Sequence, residues 1–215
     1  MSIQTMLLQL GTGMLSTVQI FFLTLLLSLP LGLIISFGRM SKNIFIKSIS
    51  KIYISIMRGT PLMLQLIVIY FAPYYIFGFN LSGYRFPAII ISFALNYAAY
   101  FAEIYRAGIE SMPIGQYEAA KVLGYSRVQT FIRIILPQVM KRVLPPVTNE
   151  TITLVKDTSL AFVLAHAEMF TMAKQIAAKE TSIMPLMAAG IFYYLFNLVV
   201  AFGMEQLEKA MNYYR

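Results

Sequence analysis

Long apolar blocks separated by short basic stretches are the dominant pattern of this chain. A helix needs roughly 20 mostly apolar residues to cross the hydrocarbon core of a bilayer. Blocks of that kind lie near residues 14–38, 52–77, 86–106, 143–165 and 183–204. The pattern predicts an all-α integral membrane protein with about five transmembrane helices. Residues 1–38 carry no charged side chain. The basic start of a secretory signal peptide is therefore missing, and the first block is expected to stay as a span.

Charge then sets a direction. Arg39, Lys42, Lys47 and Lys51 follow the first block, residues 73–84 after the second are uncharged, and Arg106, Lys121, Arg127, Arg133, Lys141 and Arg142 surround the next connection. Lys and Arg concentrate in cytoplasmic loops, so both basic connections are expected inside. The N-terminus is then outside and the C-terminus cytoplasmic. Residues 166–182 fall outside, where their Ala, Lys and Gln content predicts a short surface helix with no evident chemistry.

Composition supports the membrane reading. The 215 residues are 59% hydrophobic and 12% charged, with mean hydropathy +0.71, whereas soluble domains carry about 25% charged residues. The net charge of +8 is accordingly read as loop charge and not as a nucleic-acid footprint. There is no cysteine, which excludes disulfides, thiolate metal sites and cysteine catalysis. His166 is the single histidine, and one histidine makes no metal site unaided. Phosphate-loop, His-Glu-x-x-His and nucleophile-elbow motifs are all absent from the sequence, so no catalytic residue and no cofactor is expected in this chain. No repeat or flexible linker divides residues 1–215, which are expected to form a single transmembrane domain.

The connection at about 110–138 holds the most specific pattern. Ser111 and Pro113 predict a helix start. Tyr117-Glu118-Ala119-Ala120-Lys121-Val122-Leu123 favours helix, Gly124 is suited to a left-handed stop, and Ser126 to capping a second helix that contains Pro137. Ala119 and Ala120 leave a low surface that another protein can approach. The spacing Glu-Ala-Ala, three residues, Gly, nine residues, Ile-x-Leu-Pro is met at Glu118, Ala119, Ala120, Gly124, Ile134, Leu136 and Pro137. It resembles the signature loop of permease subunits of ABC importers. The strings MRGTPLMLQL (57–66), ALNYAAYFAEIYRAGI (94–109) and NETITLVKDTSL (149–160) narrow the resemblance to the polar amino acid group, the permeases for histidine, arginine, glutamine and related solutes. Residues 1–13, 78–85 and 166–182 carry little of it, and Ala107-Gly108 stands where the family usually has Gly-Gly.

The resemblance implies a type I ABC importer permease fold in the bacterial cytoplasmic membrane. Its loop is the coupling helix, with Tyr117, Glu118, Ala119, Ala120 and Gly124 as the expected ATPase-coupling residues. The expected partners are ABC ATPase subunits that bind ATP and Mg, a second permease copy or paralogue, an extracytoplasmic solute-binding protein, and a polar amino acid as cargo.

Polar residues inside predicted spans are costly, and each is a candidate site. Arg58 sits a few residues into the second block, where snorkelling and function are both open. Thr60-Pro61 looks like a cap and first turn, and a helix break there would leave free amides to meet an anion. Asn96 and Glu103 are seven residues apart on one face. Glu103 is assigned to Arg106, one turn on; for Asn96 a structural role and a substrate-facing one are equally open. Glu150 and Asp157 are again seven apart, with Thr153 on the stripe between them. A span starting near Val143 places them about 10 Å and about 20 Å deep at 1.5 Å per residue. No base on their own helix faces Glu150, so a cation must come from elsewhere. An amino acid's ammonium is one source; Arg58, Arg106 or a second subunit is the other. The candidate substrate-binding residues are Glu150, Asp157, Asn149, Thr153, Asn96 and Arg58. A proton- or ion-coupled secondary transporter would use the same carboxylates but leaves the spaced loop unexplained. Charge alone does not choose the amino acid.

Overall fold

The computed structural model describes residues 2–211 and is helical almost throughout, with no strand among them. Helix α1 runs Ile3–Arg39, α2 Ile44–Gly59, α3 Leu62–Phe77, α4 Arg85–Glu110, α5 Ile114–Val122 and α6 Arg127–Thr130. A π-helical turn, Phe131–Ile135, leads directly into α7, Leu136–Asp157, which tightens into a 3-10 turn at Thr158–Leu164. Helices α8, Met169–Glu180, and α9, Met184–Met211, complete the chain.

Helix α4 is the centre. Phe93, Tyr97 and Phe101 line it at one-turn intervals and are nearly or fully buried, within a core that also takes Ile20, Phe21, Leu66, Leu154 and Val155 from α1, α3 and α7. Its closest partner is α1. Thr17, Thr24, Ser28, Gly32 and Ser36 form a buried stripe of small residues on α1; Thr17 accepts from the Met169 N–H of α8, and Gly32 lies against Ala98, Phe101 and Ala102 of α4. Small side chains let two membrane helices approach closely where no hydrophobic effect drives them together. At Gly32 a Cβ would lie 2.8 Å from the Phe101 Cβ and 3.0 Å from the Ala98 carbonyl oxygen. Gly108 packs in the same way against Val143 of α7.

The ends sort consistently. At one end Arg39 of α1 reaches Glu103 of α4, and Arg142 of α7 donates to the Ser111 carbonyl at 2.8 Å. At the other end Arg85 donates to the Ala165 carbonyl, and Ser16 bonds His166. The termini themselves, whose sides the loop charges predict, lie outside the described residues.

Two of the expected spans take a different form. The block at 52–77 is not one helix: α2 and α3 are bent by 112° at a break over Thr60-Pro61, and α2 begins already at Ile44. The block at 143–165 is the C-terminal part of α7 and its 3-10 extension. Lys141, Arg142, Glu150, Lys156 and Asp157 keep α7 too polar to qualify by length and composition. Among the described residues, α1, α4 and α9 qualify, with the bent pair as a fourth if counted as one span. Pro137 does not interrupt the second helix of the loop, because the Leu136 N–H reaches back five residues to the Phe131 carbonyl. This widened turn accommodates the proline, which has no N–H to offer.

Close packing at Gly32 sets a test. Gly32→Leu should destabilise the fold by about 1–3 kcal/mol or more through overpacking. Gly11→Ala, where nothing lies within 4 Å of a Cβ, should not. Thermal melting of the detergent-solubilised protein reads both.

Candidate functional site

The break between α2 and α3 organises the site. Thr60 and Pro61 are extended, so the last carbonyls of α2 lose their helical partners. Gln65, one turn into α3, folds back and donates to the Met57 carbonyl at 3.0 Å, to the Thr60 carbonyl at 3.2 Å and to the Thr60 hydroxyl at 2.8 Å. From α4, Asn96 donates to the same Met57 carbonyl at 3.0 Å and to Gln65 Oε1 at 3.0 Å. Asn96 is only 4% exposed. Its amide holds the break, and it does not border the cleft beyond.

That cleft, ≈ 460 Å³, lies between the end of α2, the lower half of α4 and α7. Arg58, Tyr100, Glu103, Arg106, Arg142 and Glu150 are among the residues that line it. Arg58 lies over the Tyr100 ring, 5.3 Å from its centroid, a placement that holds a guanidinium without neutralising it. Glu103 pairs with Arg106 as expected, and the pair extends to Arg39 and Glu110. This ion network ties α1 to α4 beside the cleft and leaves Glu150 opposite Arg58.

Asp157 has a partner that spacing along its own helix did not reveal. The buried Tyr97 donates its hydroxyl to Asp157 Oδ2 at 2.7 Å. Tyr97 and Tyr100 sit one turn apart on α4 with ring centroids 6.2 Å apart, so one face of α4 carries Arg58 over one ring and holds Asp157 from the next. Asn149 and Thr153 are not drawn into the cleft. Both are exposed on α7, and the Thr153 hydroxyl is bonded to the Asn149 carbonyl at 2.9 Å.

The region after Asp157 is chemically richer than its sequence suggested. Glu168 is fully buried and caps α8, accepting from the Phe170 and Thr171 amides, the Thr171 hydroxyl and the Tyr193 hydroxyl of α9. Burial pushes its carboxyl above the usual carboxylate range, against those donors, which favour the ionised form. A glutamate two residues past the lone histidine gave no periodic signal from which to find this clasp.

The connecting loop is well formed. Gly124 has φ 79°, and the Tyr125 N–H returns to the Ala120 carbonyl while the Gly124 N–H returns to the Lys121 carbonyl, the paired bonds of a Schellman stop. Ser126 and Gln129 exchange bonds in a capping box. Tyr117, Glu118 and Ala119 are exposed and Ala120 is buried. Around them Ile114, Val122, Leu123 and Val128 are 66–87% exposed.

The fold, the loop and the polar cleft together define a membrane transport subunit. The chain belongs to the family of binding-protein-dependent transport system inner membrane components, whose profile matches residues 28–213. It is 35% identical over 208 residues to the L-cystine transport system permease protein of Bacillus subtilis, covering 95% of this chain and 87% of that one. It is 34% identical over 201 residues to the arginine transport system permease protein of the same organism, covering 93% and 91%. A crystal structure of an amino acid ABC transporter with histidines superposes with TM-score 0.88 at 30% identity, over 98% of this chain and 99% of that one. An inward-facing methionine ABC transporter shares the fold, with TM-score 0.75 at 18% identity over 99% and 100%. The protein is thus an ABC importer permease, a membrane transport subunit and not the ATPase. Family membership implies ATPase subunits, a binding protein and permease pairing.

The amide network at the break is directly testable. Asn96→Ala leaves Gln65 Oε1 without its donor in a buried place and should cost about 1–3 kcal/mol of stability. Asn149→Ala, at an exposed position, should cost nothing measurable. Denaturant unfolding in micelles compares the two.

Proposed function

We propose that this permease carries polar amino acids, with Arg58 receiving the α-carboxylate and Glu150 the ammonium group. The observation that carries this reading is the cleft in which Arg58 and Glu150 stand as opposite charges beside a helix break. A zwitterion offers each of them its complement. The N-terminus of α3 adds its positive end on the Arg58 side. Asp157, held by Tyr97, provides a second acidic position about 10 Å further along α7, at 1.5 Å per residue. Relatives that carry cystine and arginine by name support a substrate of this class.

In this reading α1's far end faces outward and the α4–α7 connection faces the cytoplasm. Exposed Tyr117, Glu118, Ala119 and the apolar side chains around them dock on a partner ATPase, which binds ATP and Mg. A second permease completes the path, and a solute-binding protein delivers the cargo from outside. Asn96 supports the site from behind the break, while Asn149 and Thr153 face away from the cleft toward the partner permease or the lipid.

Two substitutions test this. Glu150→Gln should reduce amino acid uptake into proteoliposomes at least tenfold while the complex still assembles; uptake at the wild-type rate would sink the assignment. Glu118→Lys should uncouple uptake and weaken ATPase co-purification. Unchanged co-purification with full uptake would remove Glu118 from the docking surface.

A further inference from the structure

The N-terminal half of helix α2 has exposed side chains that the transport reading leaves unused. Taken at 100° per residue, the helix has three faces. Ile54 is buried, and Tyr53 and Met57 beside it are half-buried, against α1 and α4. Phe45, Ile49, Ile52 and Ile56, at 71%, 52%, 59% and 52% exposed, form an outward apolar face. Lys47 and Lys51, one turn apart, form an exposed basic row on the third face, which ends at Arg58 of the cleft, and exposed Lys42 precedes them in the turn after α1. None of these three lysines has an ion-pair partner among the described residues. Of the acidic groups near these helices, Glu103 and Glu110 are taken by Arg39 and Arg106, and Glu150 lines the cleft with Arg58.

Position fixes what this surface meets. Gly38, at the basic end of α1, lies against Ser50, while the other end of α2 reaches Asn96 near the middle of α4. The lysines therefore stand at the headgroup level of one leaflet, with the apolar face running inward along the acyl chains. An exposed basic row and an exposed apolar face on one helix, both reaching an interface, are a pattern that captures anionic lipid. We propose that α2 binds anionic phospholipid of the cytoplasmic leaflet, with Lys42, Lys47 and Lys51 on the headgroup and Phe45, Ile49 and Ile52 on the acyl chains. The leaflet rests on the orientation given above. The same helix ends at Arg58 and at the carbonyl held by Asn96 and Gln65, so lipid bound along α2 also steadies the break that carries the site.

The sequence contains no tryptophan, which makes Phe45→Trp a reporter unique to this chain. The ATPase-bound complex with and without Phe45→Trp is reconstituted with brominated phosphatidylglycerol or brominated phosphatidylcholine, and the difference in fluorescence isolates position 45. Phosphatidylglycerol should occupy this surface preferentially, by about fivefold for each lysine at low salt (about 1 kcal/mol each). Added salt should shrink the preference, and the triple change Lys42→Gln, Lys47→Gln, Lys51→Gln should abolish it. Ile49→Trp serves as reporter on the same face if the first variant fails to assemble. Equal quenching by both lipids would reduce the surface to an ordinary boundary contact and overturn the proposal. Absence of quenching by either would show that protein covers it, with the same consequence. Neither outcome alters uptake by the wild-type complex or its dependence on Glu150, so failure here is distinct from failure of the transport reading.

Discussion

Everything at the site depends on satisfying the backbone where a membrane helix stops. In hydrocarbon, carbonyls without donors cost several kcal/mol each, so an interrupted helix persists only where protein supplies the missing partners. Here Gln65 and Asn96 supply them at the end of α2, both bonding the Met57 carbonyl. The 112° bend then turns Arg58 toward α4 and Glu150. The cleft, the charge pair across it and the direction of α3 all follow from two buried amides that lie behind the cleft and do not line it.

How these features read in the sequence depended on whether their cause is local. Gly124, Ser126 and Gln129 specify a stop and a cap through neighbours within a few residues, and the structure forms both. Glu103 and Arg106 likewise meet at helical spacing. The all-helical membrane fold was legible from block length, since no other spanning element suits runs of that kind. Pairings between distant segments were not legible. Tyr97 is 60 residues from Asp157, and nothing in the spacing of either helix announces the bond. Asn96 lay on a polar stripe that left a structural role and a solute-facing one equally open, and its spacing gave no hint of the carbonyl it bonds 39 residues away. The break itself was anticipated at Thr60-Pro61, but the early start of α2 at Ile44 was hidden because its lysines interrupt the apolar run.

The polarity of α7 has the same origin. A lone helix with five charged residues does not enter a bilayer cheaply. This one does so beside α4, whose Tyr97 bonds Asp157 and whose cleft takes Glu150. The cost is met by tertiary structure, so composition alone underestimates how α7 can pack among the other helices.

The same helix also joins the two halves of the proposed mechanism. From Arg127 to Asp157 the chain is helical without a break, passing through α6, the π turn and α7. Those residues start at the capping box next to the exposed loop and end at the carboxylate held by Tyr97. Continuous helix thus connects the loop to Glu150 and Asp157, with the widened turn at Phe131–Ile135 as the one place between them where the rod changes pitch. A π turn often marks functional positions, and here it lies between the exposed loop and the cleft. The turn accommodates Pro137, which gives the Ile-x-Leu-Pro part of the loop pattern a structural role.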